Sequence, residues 1–219
     1  MKMKKQIYLL ALSALLVSCN SSQKSDSQDQ NENNTETSEA GTSTVTDTNA
    51  PADIRNIAIS DKELGTFPYL SLPTHYTFGY KEEAQESDIK SLDKEYFTFN
   101  GKLFPIEGKS YKIHLEKNRN TDKERFNSLI VEKGLDKSIV DLGGVKVNNV
   151  AIPKAEIERI KSIEGENYLG YISSVDLNRL QDVKTYVIKT KDKEVWIQFS
   201  LLNEESGVLT VIEKSTLEG

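Results

Sequence analysis

The chain has 219 residues, and its 28 lysine and arginine residues are outnumbered by 34 aspartate and glutamate residues, so the formal net charge is −6. The cationic residues are interspersed with acids, as over residues 81–83 and 191–194. Because nucleic-acid binding depends on clustered lysine and arginine, this pattern argues against nucleic acid as a partner. It also disfavours binding to anionic lipid headgroups.

The N-terminus has the parts of a secretory signal. Three lysines within the first five residues precede an apolar run over residues 7–17 that only Ser13 interrupts. A membrane-spanning helix needs about 20 apolar residues, so this run is too short to span a bilayer. The tetrad Leu16-Val17-Ser18-Cys19 stands at the end of the run, and it resembles the lipobox of bacterial lipoproteins.

The lipobox resemblance implies cleavage before Cys19, lipidation of the cysteine thiol and acylation of the new amino group. Several acyl chains suit stable anchoring, because a single chain holds a protein at a membrane only marginally. We therefore predict a signal peptide over residues 1–18 and a membrane anchor made of acyl chains on Cys19. The alternative is an ordinary signal peptide that ends in cysteine by chance. Since Cys19 is the only cysteine, the mature chain is predicted to contain no internal disulfide bond.

Residues 20–50 follow the predicted lipidated cysteine and have a biased composition. They are rich in serine, threonine, asparagine, glutamine and acids, and they contain no aromatic residue. Such a segment cannot bury enough apolar surface to offset the entropy that it would lose on ordering. We predict that residues 19–50 form a disordered acidic tether with an end-to-end distance of about 30 Å. It is either a spacer or an accidental low-complexity linker.

From residue 51 onwards the composition is typical of a globular domain, and the first readable elements are strands. Two short runs over residues 96–99 and 102–104 flank Asn100-Gly101, which predicts a β-hairpin. Apolar and polar residues then alternate over residues 111–116, and this period of two predicts a half-buried strand.

Two helices are predicted next, with a strand over residues 144–147 between them. The first begins at a capping box, Thr121-Asp122-Lys123-Glu124, and ends near Gly134. The second begins at Pro153, since proline is favoured in the first turn of a helix. The residues expected to face inward are Phe126, Leu129 and Ile130 in the first helix and Ile157 and Ile160 in the second.

The last third of the chain has the pattern of three strands. Runs over residues 184–189, 195–201 and 208–213 are rich in valine, isoleucine, tyrosine and tryptophan, and polar turns separate them. Trp196 is predicted to be a core residue. Together the elements predict an α+β fold over residues 51–219, with a mainly antiparallel sheet, two or three helices and a C-terminal three-stranded meander.

An aromatic-rich segment over residues 67–80 is the best candidate for a recognition loop. Aromatic side chains with polar tips favour interfaces, but they also favour ordinary cores, so both interpretations stay open. The residues assigned to the candidate recognition loop are Phe67, Tyr69, His75, Tyr76 and Phe78.

No motif for catalysis or cofactor binding is recognisable in the sequence. The two histidines, His75 and His114, are far apart and lack zinc-ligand spacing, and no serine stands in a nucleophile motif. Carboxylate pairs such as Glu82-Glu83 and Glu204-Glu205 lie in polar runs typical of solvated surfaces. We therefore predict no catalytic residue, no metal and no cofactor.

An ordered set of short segments resembles the domain that precedes the peptidoglycan-binding module in some OmpA-like outer-membrane proteins of Gram-negative bacteria. The segments are Leu64-Gly65-Thr66-Phe67-Pro68-Tyr69, Leu72-Pro73, Tyr96-Phe97, Ile106-Glu107-Gly108-Lys109, Gly143-Gly144-Val145-Lys146-Val147, Tyr186-Val187-Ile188 and Glu194-Val195-Trp196-Ile197-Gln198. The resemblance implies an envelope-facing, non-catalytic domain. We expect no peptidoglycan-binding module after residue 219, so no wall-binding residues are implied.

These patterns predict a membrane-anchored envelope lipoprotein that acts as a non-catalytic binding or scaffolding module, with an envelope protein or a wall polymer as partner. Asn20 follows the cysteine in place of the aspartate that retains some lipoproteins at the inner membrane, which favours the outer membrane. Two alternatives stay open. One is an envelope hydrolase with an unrecognised site, and the other is a surface-displayed adhesin or nutrient-binding lipoprotein.

Overall fold

The computed structural model describes residues 52–118, 120, 124–173, 182–202 and 205–216. The predicted signal peptide, Cys19 and the predicted tether lie outside these ranges. Within the described part of the chain, no helix combines the length and the apolar character needed to cross a membrane.

The described residues form an α+β fold with a mainly antiparallel sheet of seven strands and two helices. The strands are β1 (Tyr76–Phe78), β2 (Ile89–Phe99), β3 (Lys102–Lys117), β4 (Val145–Ala151), β5 (Asp182–Lys189), β6 (Lys193–Leu202) and β7 (Ser206–Ser215). The helices are α1 (Ser128–Asp141) and α2 (Lys154–Glu164). Short 3₁₀ turns cover Ala52–Asn56, Glu86–Asp88 and Gly165–Tyr171. The predicted fold class is confirmed.

The long strand β3 lies next to one edge of the sheet and pairs with strands on both of its sides. The strand order is β1-β3-β7-β6-β5-β4, and β2 pairs with β3 along the same edge as β1. The predicted hairpin is present, because β2 and β3 are joined by Asn100 and Gly101, whose φ values of 47° and 74° suit a tight hairpin turn. The predicted meander corresponds to β5, β6 and β7, which pair antiparallel in chain order.

The helix α1 corrects the sequence prediction. Its N-cap is Asn127, whose side chain accepts hydrogen bonds from the backbone N–H groups of Leu129 and Ile130. Leu129 and Ile130, which were predicted to face inward, are 57% and 45% exposed. The inward residues are Val131, Leu135 and Ile139, spaced four apart. The helix starts after Asn127, and this start sets which residues face inward. Residues 121–123 of the predicted capping box lie outside the described residues.

Gly134 lies inside α1 and does not end it, which is a second correction. A Cβ atom at Gly134 would stand 2.3 Å from the Cγ of Pro73. Glycine normally destabilises a helix interior, but here it allows the loop around Pro73 to approach the helix backbone. Glycine is required at this position by the close approach of Pro73, so it does not mark the end of the helix.

The other predicted helix and the strand before it are confirmed. Helix α2 follows Pro153, which occupies its N-cap position, and Ile157 and Ile160 are buried as expected. They pack against Tyr96 and Leu103 at the turn end of the β2–β3 hairpin.

The hydrophobic core covers both faces of the sheet. One face packs against α1 and the segment before β1, and the other packs against the β2–β3 hairpin and α2. Trp196 is fully buried on the hairpin side, where its ring lies 5.6 Å from that of Phe97. Ile54, from the first 3₁₀ turn, is buried in the same cluster.

A row of polar side chains crosses the hairpin face of the sheet. It runs through Thr185, Gln198, Thr210 and Lys112, because each is the register partner of the next on β5, β6, β7 and β3. At its end Lys112 lies 2.8 Å from the carboxylate of Glu95, which is 0% exposed. The row therefore joins the folded-over strand β2 to the sheet through polar contacts inside the core.

Candidate recognition site

The predicted recognition loop lies on the α1 face of the sheet, and three of its aromatic rings are in the core. Phe67, Tyr76 and Phe78 are 7%, 5% and 3% exposed, and all three belong to the cluster under α1. Tyr69 is half-buried and His75 is exposed. The loop residues therefore do not form an exposed aromatic patch, and the core interpretation holds for these three.

The two histidines are not brought together. The backbone carbonyl of His75 accepts a hydrogen bond from Asn118, and that of His114 accepts one from Gly79. Asn118 and His114 are four residues apart, which is about 13 Å along an extended chain. Within the described ranges, no group of three or more histidine, cysteine, aspartate or glutamate side chains is placed to hold a metal ion.

The backbone of the loop is strained at two residues that are not glycine. Tyr69 has a φ of 71° and His75 a φ of 73°. Side chains other than glycine rarely occupy this left-handed region, and such residues persist only where the surrounding contacts hold them. Strained residues cluster at binding and catalytic sites, so the surface beside Tyr69 is a candidate binding site.

Tyr69 is held in place by its hydroxyl group and by its ring. The hydroxyl donates a hydrogen bond to the Glu213 carboxylate, which also lies 3.1 Å from the ammonium of Lys193. The ring meets that of Phe67 edge to face, with centroids 5.5 Å apart. Burial, followed by the hydrogen bond to Glu213, raises the pKa of Tyr69 to about 12. Tyr69 is thus a neutral hydrogen-bond donor at neutral pH.

A cleft of 760 Å³ opens beside Phe67, and we call it the Phe67 cleft. Its lining includes Phe67, Ala84, Glu86, Ile89, Ser91 and Lys109. The ammonium of Lys109 lies 4.6 Å from the centroid of the Phe67 ring, at the wall of the cleft. The volume lies within the usual range for small-ligand sites.

Replacement of Tyr69 by phenylalanine should lower the free energy of unfolding by about 1–2 kcal/mol at neutral pH, because a hydrogen bond to a charged carboxylate is lost. Because the pKa of Tyr69 is higher in the folded protein than in the unfolded chain, its neutral hydroxyl stabilises the fold fully below pH 10. This contribution is lost as the pH rises through about 12. Urea unfolding across this interval should therefore show the two proteins converging. Tyr80→Phe is the matched control, since Tyr80 is exposed. A constant difference up to pH 12 would contradict the assignment.

Only Phe67 of the cleft lining belonged to the predicted recognition loop. Apart from Thr66, which precedes Phe67, the other lining residues come from the segment 84–86 before β2, from β2 itself and from β3. These segments are distant in sequence and share no spacing that would have marked them.

No protein-family model, no curated protein and no solved structure matches this chain.

Proposed function

We propose that the protein is an envelope lipoprotein, anchored by acyl chains on Cys19, whose α+β domain binds or scaffolds other envelope components without catalysis. The observation that carries the proposal is the tetrad Leu16-Val17-Ser18-Cys19, which ends a short apolar run and contains the only cysteine of the chain. In this proposal residues 20–50 are a spacer that holds the domain away from the membrane.

The partners that shift the pKa values of two glutamates give these side chains a structural role. Hydrogen bonds from Lys94 and Tyr96 lower the pKa of Glu164, and a hydrogen bond from Arg159 lowers the pKa of Glu156. A general acid or base works best with a pKa near the operating pH. These carboxyl groups are moved away from neutrality, as expected for side chains that hold elements together.

Two observations support an envelope location. The segments that carry the OmpA-like resemblance favour an envelope-facing domain, and Asn20 after the cysteine favours the outer membrane over the inner one. An envelope protein or a wall polymer is then the proposed partner.

The acyl anchor is tested with a Cys19→Ala variant expressed in a Gram-negative host. The wild type should incorporate radiolabelled palmitate and sediment with membranes, and the variant should lose both properties because its acceptor thiol is gone. Ser18→Ala, which keeps a small residue before the cleavage site, is the matched control and should behave as wild type. Mass spectrometry showing an unmodified amino terminus on the purified wild type would contradict the proposal.

The binding role is tested by cross-linking in intact cells that express the wild-type protein. A cross-linkable residue at position 87, on the exposed 3₁₀ turn beside the Phe67 cleft, should give adducts with an envelope protein or a wall fragment. The same residue at position 191, in the exposed turn between β5 and β6, is the control. If neither position gives an adduct with an envelope component, the proposed binding role is wrong.

A further inference from the structure

Lys109 is unusual among the partly buried lysines of this domain. Within the described residues, every other half-buried lysine has an ion pair or a further polar, ring or electrostatic contact. Lys109 is half-buried, and among the described residues its ammonium has one polar, charged or ring contact, with the face of the Phe67 ring at 4.6 Å. A partly dehydrated cation without a carboxylate is costly, and a ring face offsets only part of that cost.

The carboxylate nearest in the sheet register is already engaged. Glu213 on β7 stands directly opposite Lys109 on β3, so the two side chains leave the same face of the sheet. Its carboxylate nevertheless turns to the Tyr69 hydroxyl and the Lys193 ammonium. The Lys109 ammonium is therefore left facing the Phe67 cleft.

The rest of the Phe67 cleft combines an apolar wall with polar groups at its rim. Phe67, Ala84 and Ile89 supply the apolar surface, and Ser91 supplies a hydroxyl group. Glu86 also lines the cleft, is exposed and forms no ion pair within the described part of the chain. A ligand that fits this arrangement has a negative charge beside an apolar group and has hydrogen-bond donors further along.

We propose that the Phe67 cleft binds the C-terminal end of a peptide whose last residue is apolar. Lys109 holds the terminal carboxylate, and the last side chain lies against Phe67, Ala84 and Ile89. The amide N–H groups that precede it donate to Glu86, which favours a peptide over a fatty acid because an alkyl chain offers no donor. This inference rests on the proposed binding role and names the ligand class for it.

The test measures binding of the peptide Ala-Ala-Leu to the mature lipidated protein in detergent micelles, by fluorescence anisotropy with a fluorescein label at the peptide amino terminus. The free-acid peptide should bind about tenfold or more tightly than the same peptide with a C-terminal amide, because a charge-assisted hydrogen bond is lost. In Lys109→Gln the acid peptide should bind as weakly as the amide. Lys109→Arg should keep most of the preference, since it keeps the charge.

Lys191→Gln is the matched control, because Lys191 is an exposed lysine far along the chain from the cleft lining. Circular dichroism of each variant establishes that the fold is intact, and the arginine variant keeps the test decisive if the glutamine variant does not fold.

Equal binding of acid and amide peptides, or an unchanged preference in Lys109→Gln, would overturn the proposal. Displacement of the peptide by octanoate at equal or lower concentration would overturn the choice of a peptide. Failure of the wild type to bind any probe would overturn the ligand class, whereas failure of the binding role itself would show as absent adducts in cells.

Discussion

The variant Lys112→Met should lose about 3–5 kcal/mol of unfolding free energy, because it removes the cation that balances a carboxylate buried in the core. Lys112 lies 2.8 Å from Glu95, which is 0% exposed, and 3.2 Å from Asp93. Its ammonium also donates to the backbone carbonyl of Lys94 at 2.9 Å. Without it, the buried Glu95 carboxylate loses this ion pair, and Asp93 keeps its ion pair with Lys90. Urea unfolding followed by Trp196 fluorescence measures the loss.

A double variant separates the charge effect from the loss of packing. Glu95→Gln in combination with Lys112→Met removes the buried negative charge together with its partner, so it should recover part of the stability that the single variant loses. Lys102→Met is the matched control for a lysine on the same strand, because Lys102 is exposed. If the single and double variants were equally unstable, the charge balance would not be what holds β2 in place.

The variant Gly134→Ala should be destabilised by about 1–3 kcal/mol, even though alanine is the better helix former by about 1 kcal/mol. The added methyl group would lie 2.3 Å from the Cγ and 3.0 Å from the Cδ of Pro73. A rigid proline ring cannot rotate away, so the loop or the helix has to shift. The midpoint of thermal unfolding measures the outcome.

Gly170→Ala is the control for this substitution. Gly170 lies in the 3₁₀ turn Gly165–Tyr171, and a Cβ atom there would meet nothing within 4 Å. That variant should therefore be neutral or slightly more stable, since alanine reduces the entropy of the unfolded chain. A Gly134→Ala protein as stable as Gly170→Ala would show that the loop around Pro73 yields without cost.

The strands of this domain were predictable wherever local pattern decided them. Asn100-Gly101 marked the hairpin, and the runs rich in β-branched and aromatic residues marked β5, β6 and β7. The full length of β3 was not apparent, because Pro105 and Gly108 interrupt its alternation of apolar and polar residues. Gly108 is needed there, since a Cβ atom would lie 2.2 Å from the backbone oxygen of Glu213.

Features that depend on contacts between distant segments were not predictable. The predicted register of α1 was wrong because it started the helix at the capping box of residues 121–124, whereas the N-cap is Asn127. The buried polar row was hidden because Gln198 and Thr210 read as solvent-facing positions of a strand. They are covered only because β2 folds over that face, as shown by the hydrogen bond from the Thr98 N–H to Gln198.

The candidate site was predicted only through the aromatic segment. Composition cannot distinguish a ring that packs under a helix from one that faces solvent, and the packing of α1 placed Phe67, Tyr76 and Phe78 in the core. Lys109 precedes the predicted strand of residues 111–116, and nothing in the sequence distinguished it from other lysines of the domain. Its distinction is that it forms no ion pair within the described residues, and that becomes visible only when Glu213 is seen bound to Tyr69 and Lys193.

The position of β7 has a consequence for how the protein is made. In the strand order it stands between β3 and β6, so it joins the half of the sheet that is synthesised first to the half that is synthesised last. Its pairing with β3 connects residues about a hundred positions apart, as with Ser110 and Ile212. The ribosome therefore delivers the closing strand after all the other strands of this sheet. A stop codon within β7 would leave two incomplete half-sheets with bare edges, and a quality-control protease would meet them as an unfolded substrate.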